Sequence, residues 1–211
     1  MTRPHDELLN VYDAEGAVID ARPRHEAKRS GLAVGAVNVL LVDGKGRVLL
    51  QRRPADKENG GRWDKSVGGH VSAGEDFDTT VLRETAEELF DAQASAAVRL
   101  AASAEEFHSL LVSADLRRSV VLRRFSLQRN LRDVRHAPGG GLRNVIYHVA
   151  VYLGRTDIPR EGFRPQASEV EELRYFPAPD VDRMLLEGSL APNMAFLWLT
   201  HARALLDLAG R

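Results

Sequence analysis

Two strand-like runs, 33–42 and 47–53, flank Asp43-Gly44-Lys45-Gly46, and this pairing constrains the fold more than any other feature of the chain. The glycines permit the positive φ of a tight turn, so the runs read as an antiparallel hairpin. A weaker hairpin precedes it: Leu8 to Tyr12, a turn near Ala14-Glu15-Gly16, then Ala17 to Ala21. After Pro54 a polar loop runs to Gly61, and Trp63 to Val67 is short and extended, ending at Gly68-Gly69. From Asp76 to about Asp91 the period becomes helical, with Leu82, Thr85, Ala86 and Leu89 on one arc and Glu84, Glu87 and Glu88 on the opposite one. Residues 116–135 suit a strand or a helix, with a strand near 119–127 preferred. Asn144 to Leu153 reads as an inner strand, 171–176 as a short strand and 193–209 as a closing helix. Strand pairs interrupted by a few helices predict an α+β chain whose helices cover a mixed sheet.

Composition removes several function classes. With 29 Lys+Arg against 30 Asp+Glu the net charge is −1, which argues against a nucleic-acid protein working by bulk charge. The absence of cysteine excludes disulfides, thiolate metal sites and a Cys nucleophile. The longest apolar run, Leu32 to Val42, falls far short of the ~20 residues of a membrane span. Met1 to Asp13 holds acids and lacks the apolar core of a signal peptide, so a cytoplasmic address is expected.

The chemistry is concentrated in Gly69 to Asp91, GHVSAGEDFDTTVLRETAEELFD. Glu84, Glu87 and Glu88 stand at i, i+3 and i+4, so their carboxylates share a helical face and repel one another without a cation. Hard oxygen donors converging in this way suit Mg²⁺ or Mn²⁺, particularly when substrate phosphates complete the shell. A solvated acidic face is the alternative for this triplet taken alone.

The wider spacing resembles the signature of the Nudix hydrolase family: Gly69, five residues, Glu75, seven residues, Arg83-Glu84, two residues, Glu87-Glu88. The resemblance implies an α/β/α sandwich around a mixed sheet and hydrolysis of a phosphoanhydride by metal-assisted water attack. It makes Glu84, Glu87 and Glu88 the metal ligands, with the Gly69 carbonyl as a further candidate. It also implies an Arg83–Glu75 ion pair that fixes the loop against the helix. The general base varies within the family, and the candidates are a helix glutamate or Glu169. Two positions depart from the pattern: Thr85 replaces an aliphatic residue, and Phe90 stands where a Gly follows the helix, so a reshaped helix exit is expected.

Trp63-Asp64-Lys65-Ser66-Val67-Gly68-Gly69-His70 is similar to the isopentenyl diphosphate isomerase branch of the superfamily, but the Cys that protonates the alkene there is missing. Hydrolysis is therefore preferred to isomerisation, and His70 reads as a polar loop residue ahead of a metal ligand. Arg52, Arg53 and Lys57 are candidates for holding substrate phosphate, and strand alternation lets at most one of the two arginines reach the site. Between Arg117 and Arg143 there are eight Arg and one Asp, which reads as a solvated insertion or a polyphosphate surface. With Phe125 its lone interleaved aromatic, a single-strand groove is poorly supported. His136 to Gly141 reads as a loop, and Tyr147, Phe196 and Trp198 as core.

The resulting expectation is an N-terminal hairpin extension over 1–30 and a hydrolase domain over 31–211 carrying an Arg-rich insertion near 103–143. The partner is a small diphosphate, with no nucleic acid, no membrane and a homodimer as a family-level expectation. A non-catalytic nucleotide- or RNA-binding module on the same fold is the rival reading.

Overall fold

A computed structural model describes residues 7–91, 98–136, 142–166 and 168–209. These residues form ten strands and five α-helices, and the sheet contains both antiparallel and parallel pairs, so the chain is mixed α/β around a mixed sheet. Contacts group it into two compact units, Met1–Asn38 with Gly69–Val81 and Phe125–Val151, and Val39–Gly68 with Leu82–Arg124 and Tyr152–Arg211.

In the first unit β1 (Leu8–Tyr12) pairs antiparallel with β2 (Val18–Pro23), in the register Leu9↔Arg22 and Val11↔Asp20. The other side of β1 meets β3 (Ala33–Val42) at Val11↔Val34. Leu9, Ala27, Val34, Val37 and Val71 are fully buried here, with Ala27 supplied by the short helix α1 (Arg24–Arg29). Asn10 is buried because it is satisfied twice: its amide donates to Glu75 O at 2.8 Å and its carbonyl oxygen accepts from Gly74 N at 3.1 Å. The expected N-terminal hairpin thus anchors the loop that leads into the acidic helix.

In the second unit the tail of β3 pairs with β4 (Arg47–Arg52) at Leu41↔Leu49, across the expected turn. Asp43 shapes that turn, its Oδ1 accepting from Lys45 N at 2.9 Å and Arg47 N at 2.8 Å, while Gly46 takes φ 75°. β4 also pairs with β5 (Trp63–Asp64) and, on its other side, with β10 (Glu172–Pro177). β7 (Val98–Ala101) runs parallel to the start of β8 (Val120–His136), and β9 (Leu142–Arg155) is an inner strand, as its apolar run predicts. Gly154 on β9 allows a close approach, since a Cβ there would lie 2.5 Å from Val121 O. The core holds Leu40, Leu41, Leu49, Leu50, Leu89, Leu122 and Tyr152.

Helix α3 (Ala104–Ser113) is capped by Ser103, whose hydroxyl accepts from Glu106 N at 3.1 Å. α4 (Ala178–Leu186) and α5 (Pro192–Leu206) are tied by Trp198 Nε1 donating to Asp182 Oδ1 at 2.7 Å. The expected closing helix is α5; Trp198 and Tyr147 are buried, but Phe196 is 40% exposed and is not core. The ambiguous 116–135 segment resolves as the strand β8, which with β9 carries arginines of the basic stretch. The expected loop over His136 to Gly141 lies, beyond its first residue, outside the described residues.

Candidate active site

Helix α2 (Phe77–Phe90) begins where the sequence predicts, with Asp76 Oδ1 accepting from Thr79 N at 2.7 Å as its N-cap. Its exit differs from a glycine cap in the expected manner. Phe90 stays helical and buried, its ring 5.8 Å from that of Phe163, and Asp91 takes the left-handed turn at φ 51°. Asp tolerates that region better than most residues, so the missing glycine displaces the turn by one position.

The helix faces depart from the expected two arcs. Leu82 is exposed, whereas Glu88 is buried with Val81, Thr85 and Leu89. The periodic reading put Glu88 on the arc opposite the apolar residues; the tertiary environment supplies polar partners that admit its carboxylate into the interior. Glu88 Oε2 accepts from Gln51 Nε2 and from Gly68 N, both at 3.1 Å. Burial, followed by the negative charge of Glu84, pushes its carboxyl up to about 8, against the lowering effects of Gly68 N–H, Lys65 and Gln51. Thr85 Oγ1, one turn away, is buried without a hydrogen-bond partner among the described residues.

Glu84 and Glu87 are bridged by one cation: Arg83 Nη1 lies 3.0 Å from Glu84 Oε1 and 3.1 Å from Glu87 Oε2. In the first unit Glu75 accepts from Thr80 Oγ1 at 2.7 Å, and Gly69 lies in β6 (Val67–His70) with His70. The His70 ring is 6.1 Å from that of Tyr147.

Around Glu88 the sequence reading missed a buried polar set. Gln51 is the polar residue of an otherwise apolar strand interior, and Lys65 is buried with Nζ 3.4 Å from Asp64 Oδ1. A Cβ at Gly68 would overlap Lys65 Cε, so any larger residue there would make the lysine end shift. Asp64 is costly to bury, yet Lys65, Arg53 and the Lys65 N–H together hold its carboxyl below the usual range. The isolated Gln in β4 and the Lys in a short extended stretch were the available signals.

Arg53 lies on this set, with Nη1 3.1 Å from Asp64 Oδ2. Arg52 turns away to Gly61 O at 3.2 Å and Glu171 at 3.8 Å, the alternation expected of neighbours on a strand. Lys57 and Glu169, expected in separate roles, pair with each other at 2.9 Å.

Among the described residues no three acidic or histidine side chains converge as they stand on a common point. The donors nonetheless fit a divalent ion: three hard carboxylates lie within one helical turn, one is buried beside another, and an arginine already bridges two of them. Among the described residues no helix is long and apolar enough to cross a membrane.

Comparison with known proteins gives a match of residues 32–196 to the family described as NUDIX domain. An uncharacterised Nudix hydrolase of Streptomyces coelicolor is 40% identical over 85 residues, 40% of this chain and 47% of that protein. An isopentenyl-diphosphate delta-isomerase of Serratia proteamaculans is 32% identical over 85 residues, 40% of this chain and 48% of the relative. The chain therefore spans about half the length of the curated relatives it matches. A crystal structure of a Deinococcus radiodurans protein shares the fold at TM-score 0.58 and 19% identity, covering 94% of this chain and 98% of that one.

Proposed function

The chain belongs to the Nudix family, its matched domain covering residues 32–196, and from that premise we propose a hydrolase that cleaves the phosphoanhydride bond of a nucleoside diphosphate derivative or related diphosphate. The observation that carries this reading is Glu88, a buried carboxylate one turn from Glu84 on the motif helix. A carboxylate held out of water beside a like charge is stabilised by a cation more strongly than by protein amides alone.

Glu84, Glu87 and Glu88 would hold Mg²⁺ or Mn²⁺, with the Gly69 carbonyl as a further ligand and Glu75 with Arg83 fixing the loop and helix. The bound ion would neutralise the diphosphate and lower the pKa of the attacking water. Gln51 and Gly68 N–H hold one oxygen of Glu88 in place. Arg83, 3.0 Å from Glu84 and 3.1 Å from Glu87, would keep both carboxylates on the side of the helix where the ion would sit. Arg53 is the arginine of its pair that shares a face with Gln51, and its fork suits a substrate phosphate. Lys57 holds the Glu169 carboxylate by an ion pair at 2.9 Å, and Glu169 would serve as general base.

The test is release of phosphate or pyrophosphate from nucleoside triphosphates, nucleotide sugars, dinucleotides and prenyl diphosphates, with Mg²⁺ or Mn²⁺ and with chelator. Chelator-sensitive turnover of one class is expected. Glu87→Gln and Glu88→Gln should each leave under about a tenth of the wild-type rate, and retention above that level overturns the ligand assignment. Silence across the panel with stabilisation by a nucleotide or RNA would favour the binding-module reading.

A further inference from the structure

The second unit holds a cleft of about 600 Å³ among the β3–β4 turn, residues 157–161 and β10. Its walls carry five cations, Lys45, Arg47, Arg117, Arg160 and Arg174, against the three acids Asp43, Asp157 and Glu161. Two of those acids are committed to the local backbone. Asp43 accepts from Lys45 N, Arg47 N and Arg47 Nε, and Asp157 Oδ1 accepts from Gly44 N at 2.7 Å. The cations divide differently. Arg47 is spent on Asp43, and Arg174 on Glu172 at 2.6 Å. Arg160 makes one long contact at 3.8 Å, while the Lys45 and Arg117 side chains have no ion pair or hydrogen bond among the described residues.

The floor is Tyr175, whose hydroxyl donates to Ile158 O at 2.9 Å and whose ring is covered by Arg47 at 5.2 Å. With the hydroxyl and ring face both occupied, recognition falls to charge and not to base stacking. Uncommitted guanidinium and ammonium groups over a closed floor match the oxygens of a compact polyanion. The site differs from the one around Glu88. Arg47 and Gln51 are four residues apart on β4, about 13 Å at ~3.3 Å per residue, more than one diphosphate spans.

We propose that this cleft is a second, metal-independent binding site for a small anion carrying two or more phosphate groups, held by Lys45, Arg117 and Arg160. Arg117 opens the basic stretch of the sequence, so part of that charge gains a use separate from hydrolysis.

Isothermal titration of the full chain with inorganic pyrophosphate, in chelator, tests the proposal. One binding event is expected. Lys45→Ala and Arg117→Ala should each weaken it about tenfold, and Glu161→Gln, which removes the acid with no side-chain partner among the described residues, should tighten it. A parallel titration with a nucleoside diphosphate separates the sources: equal affinity assigns recognition to the phosphates, and higher affinity extends the ligand to nucleotides. Absence of binding, or binding indifferent to both alanine variants, overturns the proposal. Because no metal is present and neither variant touches the α2 carboxylates, this result stands apart from the outcome of the hydrolysis panel.

Discussion

Glu88 sets stability and activity against each other. In the metal-free protein the folded state holds the Glu88 proton more tightly than the unfolded chain does, so its contribution to stability is fully present below about pH 4.5. That contribution is lost as pH rises towards about 8, at ~1.4 kcal/mol per decade. In chelator, Glu88→Gln should therefore unfold at a higher temperature than wild type at pH 8.5, with the gap closing at pH 5.5. Equal melting temperatures at pH 8.5 would show that burial does not strain the carboxylate. Thr85 offers a milder case. Its buried hydroxyl lacks a partner among the described residues where the family resemblance expects an aliphatic residue, so Thr85→Val should stabilise the protein by about 1 kcal/mol in urea denaturation. A loss of stability instead would mean that the hydroxyl is satisfied in solution. At this scale the sequence exposed the motif residues because their spacing is local. It hid Gln51, Lys65 and the burial of Glu88, because which polar side chains enter a core depends on strands distant in sequence.

The elements were more legible than their lengths. Both N-terminal hairpins, α2, β10 and α5 fall where periodicity and turn glycines put them, since those signals depend on local backbone preference. Helices α1, α3 and α4 went unread: the first is too short to show a period, and the others lack the acidic signature that drew attention to α2. In 116–135 strand and helix patterns overlap, and pairing with β7 decides for strand. Gly154 marks how closely β8 and β9 approach. Gly154→Ala would press a methyl against Val121 O at 2.5 Å and Leu122 Cδ2 at 2.7 Å, and should cost about 3 kcal/mol in urea unfolding. A loss below about 1 kcal/mol would show that the β8 backbone yields to the added methyl.

At the scale of the whole molecule, β3, β8, β9 and α2 each contribute residues to both compact units, so the division does not follow the N- and C-terminal halves of the chain. Within the first unit, Asn10 of the N-terminal hairpin is tied to Gly74 and Glu75 in the loop ahead of the acidic helix. The C-terminal helix is held to β9 by Arg155, which is buried and donates to Leu208 O at 2.7 Å and Ala209 O at 3.2 Å, neutralising carbonyls that end a helix. One strand is less enclosed. β2 pairs with β1 alone among the described strands and exposes Val18 and Ile19, so an open hydrogen-bonding edge lies beside apolar side chains. Asp20 takes the Ala21 N–H at 2.8 Å and binds Arg22, while Pro23 has no N–H to offer. Asp20→Val should therefore give concentration-dependent self-association by sedimentation, where wild type sediments as a fixed species. The shelf life of concentrated stocks then rests on one exposed aspartate, and storage at low pH, by protonating it, should bring haze and gelation before any loss of folded structure.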